Sequence, residues 1–422
     1  MAQTLPPQIR TEIPGPRSRA LAARLARVES PDTTCLSPPP VFWERAQGAN
    51  VWDADGNRFV DLGAGFGAAA AGHAHPRVAE AVSRQAARLM HAMGDVQPAA
   101  LKVELLEALA ARFPGGGRAR AVLGSSGADA VEAALETALL ATDRPGVVAF
   151  RGGYHGLSLG AREVSGRLAF REPFAPRLPG VTSFAVFGDL DDVRRAARET
   201  PAPVGAVLVE PLQGRGGIRV APPGFLAGLR ALCDEEGWLL IADEIYTGCG
   251  RTGRFFACEH EGVVPDLLCA GKGLASGMPI SACVGRAEVM EAWPVSRGEA
   301  LHTQTFLGHP PACAAALASL AVIDDEKLVD RAAELGAQAL AFLAGAADQA
   351  SRAVSCRGLG LMLGVECDSS ESAARAAEAA LAAGYIALLA GDDGCVVSAT
   401  PPLTIDGDAL LAGLAAVLEA LA

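Results

Sequence analysis

Between about residues 120 and 290 the chain alternates short runs of branched and small apolar residues with stretches of helical spacing. No other feature limits its possible folds as tightly. The spacing predicts strands over 120–124, 147–150, 204–209, 238–243, 267–270 and 282–285, and helices over 128–141, 223–236 and 287–292. Strands separated by helices cannot pair as hairpins. They form right-handed βαβ crossovers and a mostly parallel sheet with helices on both faces. The expected class is α/β. Upstream, residues 41–63 read as short alternating strands around the turn Asp53-Ala54-Asp55-Gly56, while 77–93 and 100–113 show helical spacing. After 310 come alanine-rich helices over 311–324 and 327–349, strands over 359–366 and 394–398, and closing helices. The expected division is a large domain over 76–310 and a smaller α+β domain built from 1–75 and 311–422.

The net charge of −12 argues against nucleic acid as a ligand, and a small anion would need local donors because the overall field repels it. The longest apolar runs, such as Trp238-Leu239-Leu240-Ile241-Ala242, are strand-length, so no membrane partner is expected. Ten cysteines without a C-x-x-C pair suggest a reduced, cytoplasmic setting with neither disulfide framework nor metal site. Five arginines over 10–27 could belong to a transit peptide. Pro14, Pro16 and a capping Ser18 favour an amphipathic helix instead.

Only three of the 36 Lys and Arg residues are lysines: Lys102, Lys272 and Lys327. Arginine serves wherever a surface cation is enough, but a guanidinium does not give up its proton to attack a carbonyl. Lys102 and Lys327 lie in charge-laced amphipathic stretches and read as solvated. Lys272 follows the apolar run Leu267-Leu268-Cys269-Ala270 and stands between Gly271 and Gly273. It therefore emerges from a buried strand into a turn, a suitable seat for a Schiff-base lysine whose usual pKa of about 10.4 must be lowered.

Three further segments suit the same chemistry. Gly124-Ser125-Ser126-Gly127-Ala128-Asp129 runs from strand through a turn into a helix, whose free N–H groups and dipole attract phosphate; alone it also describes an ordinary serine-capped helix. Tyr154, among glycines at a strand end, can stack on a flat ring or be a plain loop residue. Glu210 and Asp243 each place a carboxylate just past an apolar strand, where ligands bind in open α/β sheets. A phosphate cup, a stacking aromatic, a carboxylate for a ring nitrogen and a deprotonable lysine make a four-part site for pyridoxal phosphate.

Asp243-Glu244-Ile245-Tyr246-Thr247-Gly248, Gly250-Arg251-Thr252-Gly253 and Gly271-Lys272-Gly273 together resemble the signature of class III (omega-type) aminotransferases, which are fold-type I pyridoxal-phosphate enzymes. The resemblance runs from about residue 40 to the C-terminus and includes Gly72-His73-Ala74-His75-Pro76, Tyr154-His155-Gly156, Thr305-Phe306-Leu307-Gly308 and Pro401-Pro402-Leu403-Thr404-Ile405. It implies a homodimer with a shared active site, using pyridoxal 5′-phosphate to move an amino group from an amine or amino acid to a keto or aldehyde acceptor. Lys272 would hold the cofactor as a Schiff base and shuttle the proton, and Asp243 would pair with the ring nitrogen. Tyr154 and Ile245 would flank the ring. Ser126, Gly127 and Ala128 would cup the phosphate, with Thr305 reaching it from the neighbouring subunit. Glu210 and Tyr246 would line the substrate side. Phe42 and Trp43 suit either a substrate-pocket wall or core packing, with core preferred.

Several positions depart from the family pattern. Tyr246 stands in place of a common glutamine, Ala128 of a serine or threonine, and His309 of an asparagine before proline. Ser398 occupies a position where many members carry an arginine that clamps a substrate carboxylate. Either Arg151, Arg215 or Arg357 takes over that role, or the substrate class shifts toward amines and larger amino compounds. Racemisation, an aminomutase shift and decarboxylation use the same machinery and stay open as alternatives.

Overall fold

The computed structural model describes residues 3–347 and 350–422. Its centre is a seven-stranded sheet. In chain order its strands are β1 (Ala119–Gly124), β2 (Gly146–Phe150), β3 (Thr182–Ala185), β4 (Val204–Val209), β5 (Leu239–Asp243), β6 (Leu267–Ala270) and β7 (Ser281–Arg286). In space they run β1-β7-β6-β5-β4-β2-β3. β7 is antiparallel to both of its neighbours, and all other pairings in the sheet are parallel. β2 and β4 are buried at every position, as strands covered on both faces must be. That burial accounts for their unbroken apolar runs.

The six strands predicted between 120 and 290 all form, with ends within one residue of expectation, and the strand predicted over 394–398 spans Val396–Ala399. β3 and the helix Leu190–Glu199 that follows it were not anticipated. Thr182-Ser183-Phe184-Ala185 carries two hydroxyls in four residues and lacks a contiguous apolar signal. It is an edge strand, paired only with β2.

Two four-stranded sheets accompany the large one, and Leu212–Gln213 pairs with Arg219–Val220 in a two-stranded hairpin. Trp43–Gln47, Asn50–Asp53 and Arg58–Asp61 form a meander, which Tyr385–Ile386 joins in parallel from the other end of the chain. The predicted turn is closed by the buried Asp53 carboxylate, which accepts the N–H groups of Asp55 (3.0 Å) and Asn57 (2.8 Å). The other sheet pairs Ala353–Leu359, Met362–Cys367, Val396–Ala399 and Leu388–Ala390. Helix Pro310–Asp325 packs its buried alanine-rich face against helix Pro76–Arg88.

Several expectations need correction. The helix predicted over 77–93 ends at Arg88, where Leu89 turns extended with φ −159°. The N-terminal helix spans Pro16–Leu25 with Gly15 at its cap. Ser18 lies inside that helix, buried, and its hydroxyl donates to Asp55 at 2.7 Å. Lys102 is half-buried rather than solvated, and its ammonium donates to the Gly94 carbonyl at 2.6 Å. Residues 348–349 of the helix predicted over 327–349 lie outside the described residues; the helix spans Leu328–Ala347. The single strand predicted over 359–366 is a hairpin, because Gly360 adopts φ +55° and reverses the chain.

A Cβ at Gly360 would stand 2.4 Å from the Thr252 carbonyl carbon and 2.7 Å from the Arg251 oxygen. Gly360→Ala should therefore cost about 2–4 kcal/mol through backbone strain and overlap. Urea unfolding of wild type and variant measures it; an unchanged midpoint would contradict this account of the hairpin.

Candidate active site

The functional side chains converge because parallel strands deliver their carboxyl ends to one edge of the sheet. Ser126–Ala128 follow β1, Tyr154 follows β2, Glu210 follows β4, Asp243 ends β5, and Lys272 follows β6. All of them line one cavity of about 290 Å³, joined by Ile245 and Tyr246. Thr305, Phe42 and Trp43 do not line it. Trp43 is 43% exposed, which corrects the preference for core packing, and its ring meets His73 edge-on at 5.6 Å. Thr305 is exposed on this single chain.

At the head of the cavity, helix Gly127–Thr142 begins with a reciprocal cap. The Ser126 hydroxyl accepts the Asp129 N–H, and the Asp129 carboxylate accepts the N–H groups of Ser125 and Ser126, each at 2.9 Å. The Ser126 amide is thus used inside the protein. The amides of Gly127 and Ala128 have no hydrogen-bond partner among the described residues and sit at the positive end of the helix dipole. A Cβ at Gly127 would lie 3.0 Å from Ile245 Cδ1, so glycine there lets the isoleucine reach under the cavity.

Asp243 is 3% exposed. One oxygen accepts from the Ile245 N–H at 3.1 Å, and the other lies 2.7 Å from His155 Nδ1. Burial opposes the charged form of His155, but the bond to Asp243 and the charges of Asp243 and Glu210 hold its pKa above the ordinary value. The sequence assigns His155 no role: its place beside Tyr154 cannot show that its ring reaches across to β5.

Glu210 is also buried. Its oxygens accept the N–H groups of Tyr154 (2.9 Å) and Gly214 (3.0 Å). Burial pushes its pKa up, with His155 and the two amides opposing and the Asp243 charge adding to the rise. Glu244 faces the other way, accepting from Thr247, Ala257 and Cys258, and serves the fold rather than the cavity.

Lys272 adopts φ +42°, a conformation rare outside glycine and typical of functional turns. Its Nζ sits 3.4 Å from the centroid of the Tyr246 ring. The tyrosine is held edgewise between two glycines, where Cβ atoms at Gly67 or Gly214 would each come within 2.3 Å of it. Its hydroxyl meets Thr400 Oγ1 at 3.0 Å. Burial lowers the Lys272 pKa to about 8, aided by the charges of Arg215 and Arg251 and opposed by Glu210 and Asp243. Near neutrality a useful fraction of this amine is therefore unprotonated and nucleophilic.

A helix terminus with free amides, a buried carboxylate, an aromatic wall and a weakly basic lysine at the edge of an α/β sheet define a fold-type I pyridoxal-phosphate site. The residues present fit that cofactor: the free amides match its phosphate, and Asp243 matches its ring nitrogen. Residues 35–421 match the family model "Aminotransferase class-III", and the chain belongs to that family. It is 40% identical to an acetylornithine aminotransferase of Methanopyrus kandleri, covering 90% of this chain and 94% of that one. It is 39% identical to a 4-aminobutyrate aminotransferase of Mycobacterium leprae, covering 96% of each. The ornithine aminotransferase of Toxoplasma gondii, whose structure has partial pyridoxal phosphate occupancy, superposes with a TM-score of 0.87 at 32% identity over 98% of both chains. The chain is accordingly a pyridoxal-phosphate enzyme that transfers amino groups.

An aldehyde condenses only with a neutral amine, and protonation of Lys272 below its pKa removes that form. The rate at which apoprotein takes up pyridoxal phosphate should rise about tenfold per pH unit below 8 and flatten above it. A stopped-flow pH profile checks this; a rate still climbing toward pH 10 would place the amine in water rather than in the cleft.

Proposed function

We propose that Lys272 is the catalytic amine of a transamination in which a donor bearing a primary amine loads the cofactor and a keto or aldehyde acceptor unloads it. The observation that carries the reading is a lysine with a pKa near 8 in one cavity with the buried Asp243 carboxylate and the free amides of Gly127 and Ala128. Bound there, pyridoxal phosphate supplies an electron sink for charge developing at the substrate carbon. The amides of Gly127 and Ala128 and the Ser126 hydroxyl would hold the phosphate. Asp243, steadied by His155, would keep the ring nitrogen protonated. Tyr154 and Ile245 would flank the ring. Lys272 Nζ takes the proton from the carbon bearing the substrate amine and returns one on the way to product. Tethering makes that transfer effectively intramolecular. Glu210 and Tyr246 line the substrate side. Phe42 and Trp43, set back from the cavity of one chain, form its outer wall in the assembled enzyme.

The assembly is a cytoplasmic homodimer in which Thr305 of each chain completes the phosphate cup of the other, with domains divided near residues 75 and 310. Supporting the dimer, Met90, Met93, Val96, Leu301 and Phe306 expose 51–75% of their surfaces on two segments that touch, with Thr303 donating to Asp95 at 2.9 Å. Apolar exposure of that extent marks an interface. Supporting the compartment, all ten cysteines are free. No helix among the described residues is long and apolar enough to cross a membrane.

The test mixes purified holoenzyme with amines and amino acids and follows conversion of bound cofactor to pyridoxamine phosphate, then its reversal by keto acids. Conversion and reversal are expected. Proton exchange at the substrate carbon without conversion would indicate racemisation instead. Lys272→Ala should abolish turnover while far-UV circular dichroism stays unchanged, and Asp243→Asn should slow it roughly 100-fold or more with cofactor still bound. Met93→Glu combined with Phe306→Glu should sediment as a monomer and lose cofactor; a cofactor-replete monomer would count against Thr305 acting across an interface.

A further inference from the structure

Ser398, where the family pattern commonly has arginine, is closed off: it is 4% exposed and its hydroxyl donates to the Leu388 carbonyl at 3.0 Å. A substrate carboxylate cannot be held there. The sequence offered Arg151, Arg215 and Arg357 instead; these and the nearby Arg251 are separated by their surroundings. Arg151 is exposed and lines a different cavity. Arg357 gives its guanidinium to the carbonyls of Gly217 and Ile218 and to Ser355 and Glu366. Arg251 is fully buried against the carbonyls of Leu361 and Pro401 and does not line the cleft.

Arg215 differs from these in its place. It lines the cleft together with Lys272, and its guanidinium has no hydrogen-bond or ion-pair partner among the described residues. Its guanidinium carbon lies 5.3 Å from the centroid of the Tyr154 ring, a cation–π placement that fixes the side chain while leaving its donors free. The turn that carries it is clamped from three sides. Glu210 accepts the Gly214 N–H at 3.0 Å, the Arg215 carbonyl accepts the Gly391 N–H at 2.9 Å, and Arg357 Nη2 donates to Gly217 O at 2.8 Å. A buried carboxylate and a second arginine thus hold one otherwise idle arginine over the cleft of a chain whose net charge is −12.

We infer that Arg215 is the substrate carboxylate anchor of this enzyme, selecting amino donors that carry a carboxylate at the end remote from the reacting amine. The inference rests on the transamination reading above and deepens it by naming the recognising group. A guanidinium fork pairs with a carboxylate through two charge-assisted hydrogen bonds, which a neutral donor of the same length cannot accept. The arrangement moves the anchor from the β-strand position of Ser398 to the turn between Leu212–Gln213 and Arg219–Val220, beside Tyr154.

The test compares 4-aminobutyrate with n-butylamine, which replaces the carboxylate by a methyl group, as donors to the holoenzyme. Because Arg215 also lowers the Lys272 pKa, the readout is the ratio of kcat/KM for the two donors rather than either rate. Wild type should favour 4-aminobutyrate. Arg215→Leu should lower the ratio roughly 10- to 100-fold, mainly through KM for 4-aminobutyrate, and Arg215→Lys should restore part of it. A wild type without that preference, or a variant whose ratio is unchanged because both donors decline together, would overturn the inference. Failure of the underlying reading looks different: borohydride treatment of wild type would leave no cofactor adduct on Lys272.

Discussion

The short contact between His155 and Asp243 holds the site together. A carboxylate this deeply buried is costly unless every oxygen finds a partner. Asp243 finds one in its own turn, at the Ile245 amide, and one across the sheet edge, at His155. The second bond ties the loop after β2 to the end of β5. The same loop is tied to the end of β4 by Glu210, which accepts the Tyr154 amide. The placement of the aromatic wall, and of the arginine stacked on it, follows from satisfying two buried acids.

The electrostatics form a closed circuit around Lys272. Burial and two arginines depress its pKa while Asp243 and Glu210 raise it, and the balance rests near 8. A site with the acids alone would keep the amine charged. A site with the arginines alone would push the amine further toward its neutral form. Arg215 belongs to the lowering side of this balance and lines the same cavity as the lysine. Tyr246 completes the arrangement, its ring edge filling the gap between Gly67 and Gly214 and its face turned to the lysine amine.

Much of this was legible in the sequence, for identifiable reasons. Central strands buried on both faces leave continuous apolar runs, and residues just past those runs must lie at the carboxyl edge of a parallel sheet. Asp243, Glu210 and Lys272 were therefore placed correctly without coordinates. Elements at the periphery were less legible. β3 is half polar because only one neighbour covers its edge, and the strand predicted over 359–366 hid a reversal at Gly360, which apolar patterning does not mark.

The chain alone determined the order of its elements, the sheet edge at which the candidate site lies and the one lysine placed there, because periodicity and strand ends are local properties. Which side chain reaches which partner was settled only in three dimensions. His155 is separated from Asp243 by 88 residues, and Arg151, Arg215 and Arg357 look equally available in one dimension. Folding places the first at a different cavity, commits the last to the carbonyls of Gly217 and Ile218, and leaves Arg215 lining the cleft. Hydrogen-bond satisfaction of buried groups depends on the whole structure, and no local pattern encodes it.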